Sequence, residues 1–243
     1  MSYDFASFAA AFVSDPILAL IVILTLGATV VNGATDAPNA IATVVGTKAM
    51  KPTPAIAMAA ICNFVGLAGI TMVSSAVAAT IFKMVDFGGD NHAALVALAA
   101  AMVAIIVWGV AAWYFGIPTS QSHSLIAGIT GAAIALQGGL GGVNGGEWMK
   151  VVYGLVISTV LGFGTGWLFT RLIKKACRRA ERSKANSFFK WAQIVSGAGV
   201  AVLHGAQDGQ KFLSLCMLGI MLAMSGQSGG DVSFPFWLII MVS

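Results

Sequence analysis

From Pro16 to Thr35 the chain carries no charged residue, and the same holds from Pro52 to Phe82, Ala93 to Pro118, Val151 to Thr170 and Trp191 to Leu203. In hydrocarbon every backbone polar group must be satisfied within the protein, so apolar runs of about 20 residues are read as membrane-spanning helices. Only the last run is marginal in length. The short alternating segments of a transmembrane β-barrel are missing. With 9% charged residues, against about 25% in soluble domains, the expected class is an all-α integral membrane protein. No basic flank and no small-residue cleavage pattern accompany the first run, which argues against a removed signal peptide.

The net charge of +4 does not point to nucleic acid, because eight of the thirteen Lys and Arg residues lie between Arg171 and Lys190. Basic loops stay on the cytoplasmic side, so residues 173–190 are read as a cytoplasmic loop, solvated or in contact with anionic lipid. Counting crossings back from it puts the Gly-rich stretch Gly138–Gly146 outside as a flexible loop, Lys48 and Lys51 inside, and the N-terminus outside, so the expected setting is a multi-pass protein of a cell membrane. Cys62, Cys177 and Cys216 are odd in number and widely spaced, which favours neither a disulfide framework nor a zinc site.

A carboxylate at the end of an apolar run is costly and marks function. Asp36 is one, within Asn32-Gly33-Ala34-Thr35-Asp36-Ala37-Pro38-Asn39-Ala40, and a related segment, His204-Gly205-Ala206-Gln207-Asp208, returns 172 residues later. The first copy follows a helix entering the cytoplasm and the second ends one leaving it, so the copies run antiparallel. That is the pattern of an inverted-repeat secondary transporter with broken helices and a midplane site. The expected divisions are a first repeat over 1–172, the basic loop, and a second repeat beginning at 191. Asn32, Asp36 and Asn39, spaced by four and three residues, fall on one face of a helix. Pro38 cannot donate a hydrogen bond, which leaves the Ala34 carbonyl free beside the carboxylate as a cation site. Asp36, Asp208, Asn32, Ala34, Thr35 and Gln207 are the candidate coupling-ion residues.

A second cluster is Gly116-Ile117-Pro118-Thr119-Ser120-Gln121-Ser122-His123. Gly116 suits a helix C-terminus and Pro118 the entry of the next helix, which places Thr119, Ser120, Gln121, Ser122 and His123 at a helix N-terminus. Free N–H groups, the positive end of the dipole and more hydroxyl donors than capping requires make an oxyanion site. With Asp36, Asn39 and Asp208 these five are the candidate substrate-binding residues. The glycines of Gly162-Phe163-Gly164-Thr165-Gly166 sit inside an apolar run and are read as a close-packing helix face rather than a nucleotide loop. No Ser-His-Asp order, paired acids or metal-ligand spacing favours an enzyme.

These motifs resemble the inorganic phosphate transporter (PiT) family, whose halves each carry G-A-N-D-x-x-N-A and P-x-S-[ST]-[ST]-H type segments. Asn32–Ala40, Gly116–Ser124 and His204–Lys211 match them in order and spacing. The resemblance implies symport of inorganic phosphate with sodium or protons, no cofactor, and a re-entrant hairpin whose tip holds the oxyanion near the two aspartates. A sulfate permease on the same scaffold is the alternative within transport. Thr35 and Gln207 stand where the family has Asn, and Gln121 where it has Ser or Thr. A second hairpin tip is expected near position 288, beyond the last residue, Ser243. The reading therefore expects a second repeat that is incomplete, with a separate C-terminal half or a homo-oligomer completing the site, or a fragment that does not transport alone.

Overall fold

The computed structural model describes residues 4–74, 76–224 and 234–243. The helices are α1 (Phe5–Ser14), α2 (Pro16–Thr35), α3 (Pro38–Gly46), α4 (Pro52–Val73), α5 (Ala76–Met84), α6 (Asn91–Phe115), α7 (Gln121–Gln137), α8 (Gly145–Ala176), α9 (Arg182–His204), α10 (Gln210–Met224) and α11 (Phe236–Val242). The stretches Pro16–Gly46, Pro52–Val73, Asn91–Phe115 and Gly145–Ala176 are each long and apolar enough to cross a membrane. Extended pairing among the described residues is an isolated bridge between Val85 and Val143. The chain is an all-helical membrane protein.

Local chemistry sets the helix ends. Proline opens α2, α3 and α4, where a missing N–H costs nothing. Asp15, Asp90 and Asn144 cap α2, α6 and α8 by accepting first-turn N–H groups. Gly116 stops α6 with φ +66°, and the Ile117 N–H returns to the Ala112 carbonyl at 2.8 Å. This is the glycine C-cap in which the left-handed residue satisfies the last carbonyls.

The two motif segments interrupt their helices at equivalent points. α3 begins at Pro38 and α10 at Gln210, the same 172-residue offset that separates the aspartates. Between α9 and α10 runs a π-helical turn, Gly205–Gly209. Between α2 and α3 the Ala37 N–H reaches back five residues to the Asn32 carbonyl at 3.4 Å. Both aspartates thus lie in wide turns of the kind found at functional sites. α2 packs against α10 and α3 against α9. Each helix therefore meets the counterpart of its partner segment, as two copies running in opposite directions must.

α6 and α7 form a helical hairpin whose α6 arm packs against α2, with Leu98, Met102, Ile105, Leu125 and Ile129 buried in the common core. Its tip meets Asp36, ten residues before the end of the 31-residue stretch Pro16–Gly46, or about 15 Å along a helix axis. The tip thus turns back beside the break at Asp36, inside that apolar stretch.

Four expectations change. The run Pro52–Phe82 is two helices, because Ser74 is extended (φ −152°, ψ 134°) and its Oγ accepts the Ala76 N–H. Residues 173–190 are mostly helical, with the break confined to 177–181 between α8 and α9. Gly138–Gly146 is tied down: Asp86 N–H donates to the Gly142 carbonyl and Gln137 Nε2 to the Asp86 carbonyl. Gly162, Gly164 and Gly166 pack against nothing, since a Cβ at each would meet no atom within 4 Å.

Candidate functional site

Three elements meet at the tip of the hairpin. Ser120 caps α7, and its Oγ accepts from the His123 N–H at 3.5 Å. Gln121 N–H, the first donor of the helix, points at Asp36 Oδ2, 3.0 Å away. One residue later Ser122 Oγ donates to Asp208 Oδ1 at 2.8 Å. The two motif carboxylates, 172 residues apart in sequence, therefore bracket a single helix turn. A helix N-terminus explains why they settle there, since its N–H groups and dipole favour negative charge.

Around Asp36 lies a cavity of about 310 Å³ lined by Asp36, Asn39, Thr119, Ser120, Val200 and His204. Thr119 Oγ1 is positioned by Trp108 Nε1 at 2.9 Å. His204 is oriented from its other side: Asn63 donates Nδ2 to the Ala59 carbonyl at 2.8 Å, which turns Oδ1 to His204 Nδ1 at 2.7 Å. His204 Nδ1 therefore carries the proton. Its Nε2 is buried without a hydrogen bond and lies 3.6 Å from Asp208 Oδ2, within reach of a charge and beyond that of a hydrogen bond. Lys211 Nζ completes the cluster, 2.7 Å from Asp208 Oδ1.

The candidate residues divide sharply. Asp36, Asn39, Thr119, Ser120, Ser122 and Asp208 come together, joined by the backbone N–H of Gln121. Asn32 does not share their cavity: it is 5% exposed, its Oδ1 has no partner, and it lines a second cavity of about 250 Å³ with Thr29, Asn63, His204 and Gly205. The expected common face of Asn32, Asp36 and Asn39 is lost because the wide turn at Asp36 rotates α3 relative to α2. The side chain of Gln121 also turns away from the tip and packs at Gly109 with both amide atoms unpartnered. The Thr35 hydroxyl is spent on the Val31 carbonyl. Gln207 and His123 are exposed, and His123 lines a separate groove with Trp108. The Ala34 carbonyl loses its helical donor at Pro38, and the Asn39 N–H goes to the Asp36 carbonyl instead.

Sequence reasoning assigned no role to Lys211, His204 or Asn63. Two of these carried a readable signal, because Lys211 is the counterpart of Asn39, and His204 of Asn32, at the repeat offset. Nothing along the chain links Asn63 to His204.

Comparison with known proteins places this geometry. A transporter from Bacillus subtilis named "Probable low-affinity inorganic phosphate transporter" is 36% identical over 219 residues, 90% of this chain and 64% of that protein. Its namesake from Mycobacterium tuberculosis is 33% identical over 225 residues, 92% of this chain and 52% of that protein. The Escherichia coli protein "Low-affinity inorganic phosphate transporter PitA" is 36% identical over 212 residues, 77% of this chain and 42% of that one. The chain thus spans less than two thirds of the length of these relatives. A solved structure titled "The sodium-dependent phosphate transporter" has the same fold, with a TM-score of 0.72 at 20% identity over 93% of this chain and 72% of that one. The family model described as "Phosphate transporter family" matches residues 32–243, from the first motif through the hairpin to the second. The chain belongs to the phosphate transporter family.

Proposed function

We propose that this chain builds the anion and cation site of an inorganic phosphate symporter, with the coupling cation, sodium or a proton, acting at Asp36. The observation that carries the reading is the bond from Gln121 N–H to Asp36 Oδ2 at 3.0 Å. The protein's own carboxylate rests on a donor at a helix N-terminus, where an oxyanion would accept. A phosphate reaching the cavity meets that charge, and unit charges about 4 Å apart repel by about 4 kcal/mol at an effective dielectric near 20. A cation or proton on Asp36 cancels the repulsion and loosens its hold on the N–H. Anion and cation then stabilise each other's binding through competition for one donor, while Asn39, Thr119, Ser120 and His204 surround the anion's space. The names of the relatives support phosphate as the substrate. On the same reading the 177–181 break faces the cytoplasm and the N-terminus lies outside, in keeping with the concentration of basic residues.

Uptake of radiolabelled phosphate into proteoliposomes, under imposed sodium or proton gradients and with sulfate as competitor, tests the reading. Asp36→Asn is expected to insert normally and to lose gradient-driven uptake. Ser120→Ala is expected to raise the half-saturating phosphate concentration at least tenfold, the equivalent of losing a hydrogen bond to a charged ligand of about 1.5–3 kcal/mol. Gradient-driven uptake that survives Asp36→Asn would overturn it.

A further inference from the structure

Asp36 and Asp208 are matched by the repeat and differ in their surroundings. Asp36 Oδ2 accepts one backbone N–H, its carboxylate opens on a cavity, and no Lys or Arg among the described residues is bonded to it. The residue three places on is Asn39, neutral and exposed. Three places after Asp208 the second copy has Lys211, on the same helical face. Its Nζ lies 2.7 Å from Asp208 Oδ1 and 2.5 Å from Ser122 Oγ, while Ser122 donates to that same carboxylate oxygen at 2.8 Å. The other oxygen, Oδ2, faces His204 Nε2 at 3.6 Å. The side chains of Lys211 and Asp208 are only 21% and 12% exposed.

We propose that Lys211 is a tethered counter-ion that takes the place of a free monovalent cation at Asp208, so that the second half of the site is closed to sodium while the Asp36 half stays open. The inference rests on the symport reading above and deepens it by assigning which carboxylate a free cation can use. A hard cation needs several oxygen lone pairs. At Asp208 one oxygen already accepts two donors, and an ammonium, which has donors only, stands beside it. A free cation arriving there meets a like charge, and one of the two carboxylate oxygens, Oδ1, is already taken by two donors. The tether also removes the loss of translational freedom that a free ion suffers on binding. Through Ser122, Lys211 fastens the hairpin tip to the second motif. In the first copy an amide occupies the equivalent position, and nothing charged competes for Asp36.

Binding of radiolabelled sodium to the purified chain in detergent, with choline balancing ionic strength and no phosphate present, tests this assignment. Asp208→Asn is expected to leave sodium binding unchanged. Lys211→Asn, which copies the first repeat, is expected to add a saturable sodium component that choline does not reproduce, and Asp208→Asn in that background is expected to remove it. Lys211→Gln, which keeps length and a donor for Ser122, serves as a second neutral variant. Loss of sodium binding in the Asp208→Asn single variant would overturn the proposal. So would the absence of an Asp208-dependent gain in both neutral variants, shown to be folded by size exclusion and circular dichroism. If neither variant folds, the Asp208→Asn arm decides alone. Because no phosphate takes part, the outcome is independent of whether phosphate is the transported anion.

Discussion

Ser122 has a single hydroxyl and two charged neighbours to satisfy. It donates to Asp208 Oδ1 and accepts from Lys211 Nζ, and so joins the hairpin tip to the second motif. Ser122→Ala leaves a mostly buried carboxylate and ammonium short of one partner each. Hydrogen bonds to charged groups contribute about 1.5–3 kcal/mol, and a loss of that size is expected in the unfolding free energy in detergent, with Ser122→Thr retaining most of it. An unchanged unfolding midpoint for Ser122→Ala would show that the hydroxyl does not hold the tip. The Gly116 stop and the placing of Ser120 to Ser122 at a helix N-terminus were legible in the sequence because they rest on neighbouring residues, whereas Pro118, expected at the entry of that helix, lies two residues before its Ser120 cap. The pairing of Ser122 with Asp208 was not, because hydroxyls in a capping turn carry no mark of what will face them.

Helices come closest where glycine removes the side chain. A Cβ on Gly66 would overlap the Val202 carbonyl, and one on Gly205 would overlap the backbone of Asn63, so α4 meets the end of α9 and the π-helical turn backbone to backbone. Small residues permit this approach in membrane proteins, where packing rather than water expulsion drives association. The contact also sets the distance across which Asn63 reaches His204. Gly66→Ala and Gly205→Ala are each expected to destabilise by at least about 1–3 kcal/mol, since backbone cannot yield as a side chain can. Gly164→Ala, with open space around it, is expected to be neutral or to stabilise by up to about 1 kcal/mol through helix propensity. Unfolding midpoints of the three variants in one detergent make the comparison, and equal effects would show that the close approach is not maintained.

At the scale of the whole molecule, α8 stands apart. None of its membrane-length window is buried, and its 32 residues extend roughly 48 Å at 1.5 Å per residue, well beyond a hydrocarbon core of about 30 Å. Its C-terminal turn carries Lys174 and Lys175, and Arg171 lies 4.2 Å over the Trp167 ring, an arrangement that holds the basic end at an interface. Cys177 follows directly and is partly exposed, whereas Cys216 is buried. A membrane-impermeant maleimide is expected to modify Cys177 from the cytoplasmic face of oriented vesicles and to spare it from the other face. Labelling from the opposite face alone would invert the assigned orientation.

Sequence alone determined the elements that depend on neighbours: membrane-length helices from uncharged runs, the hairpin turn from Gly116, and the inverted relation of the two aspartate motifs through one offset. Apolar length, proline and left-handed glycine act within a few residues, which is why these elements can be read locally. Only the tertiary structure decided which carboxylate is open. Asp36 and Asp208 read alike along the chain, yet one rests on a backbone N–H beside a cavity and the other is held by Lys211 and Ser122. The wide turn at Asp36 also separated Asn32 from Asn39, which an unbroken helix would have aligned. Contacts between residues 85 and 141 positions apart depend on how helices cross, and a crossing is set by packing over whole faces that no local pattern encodes.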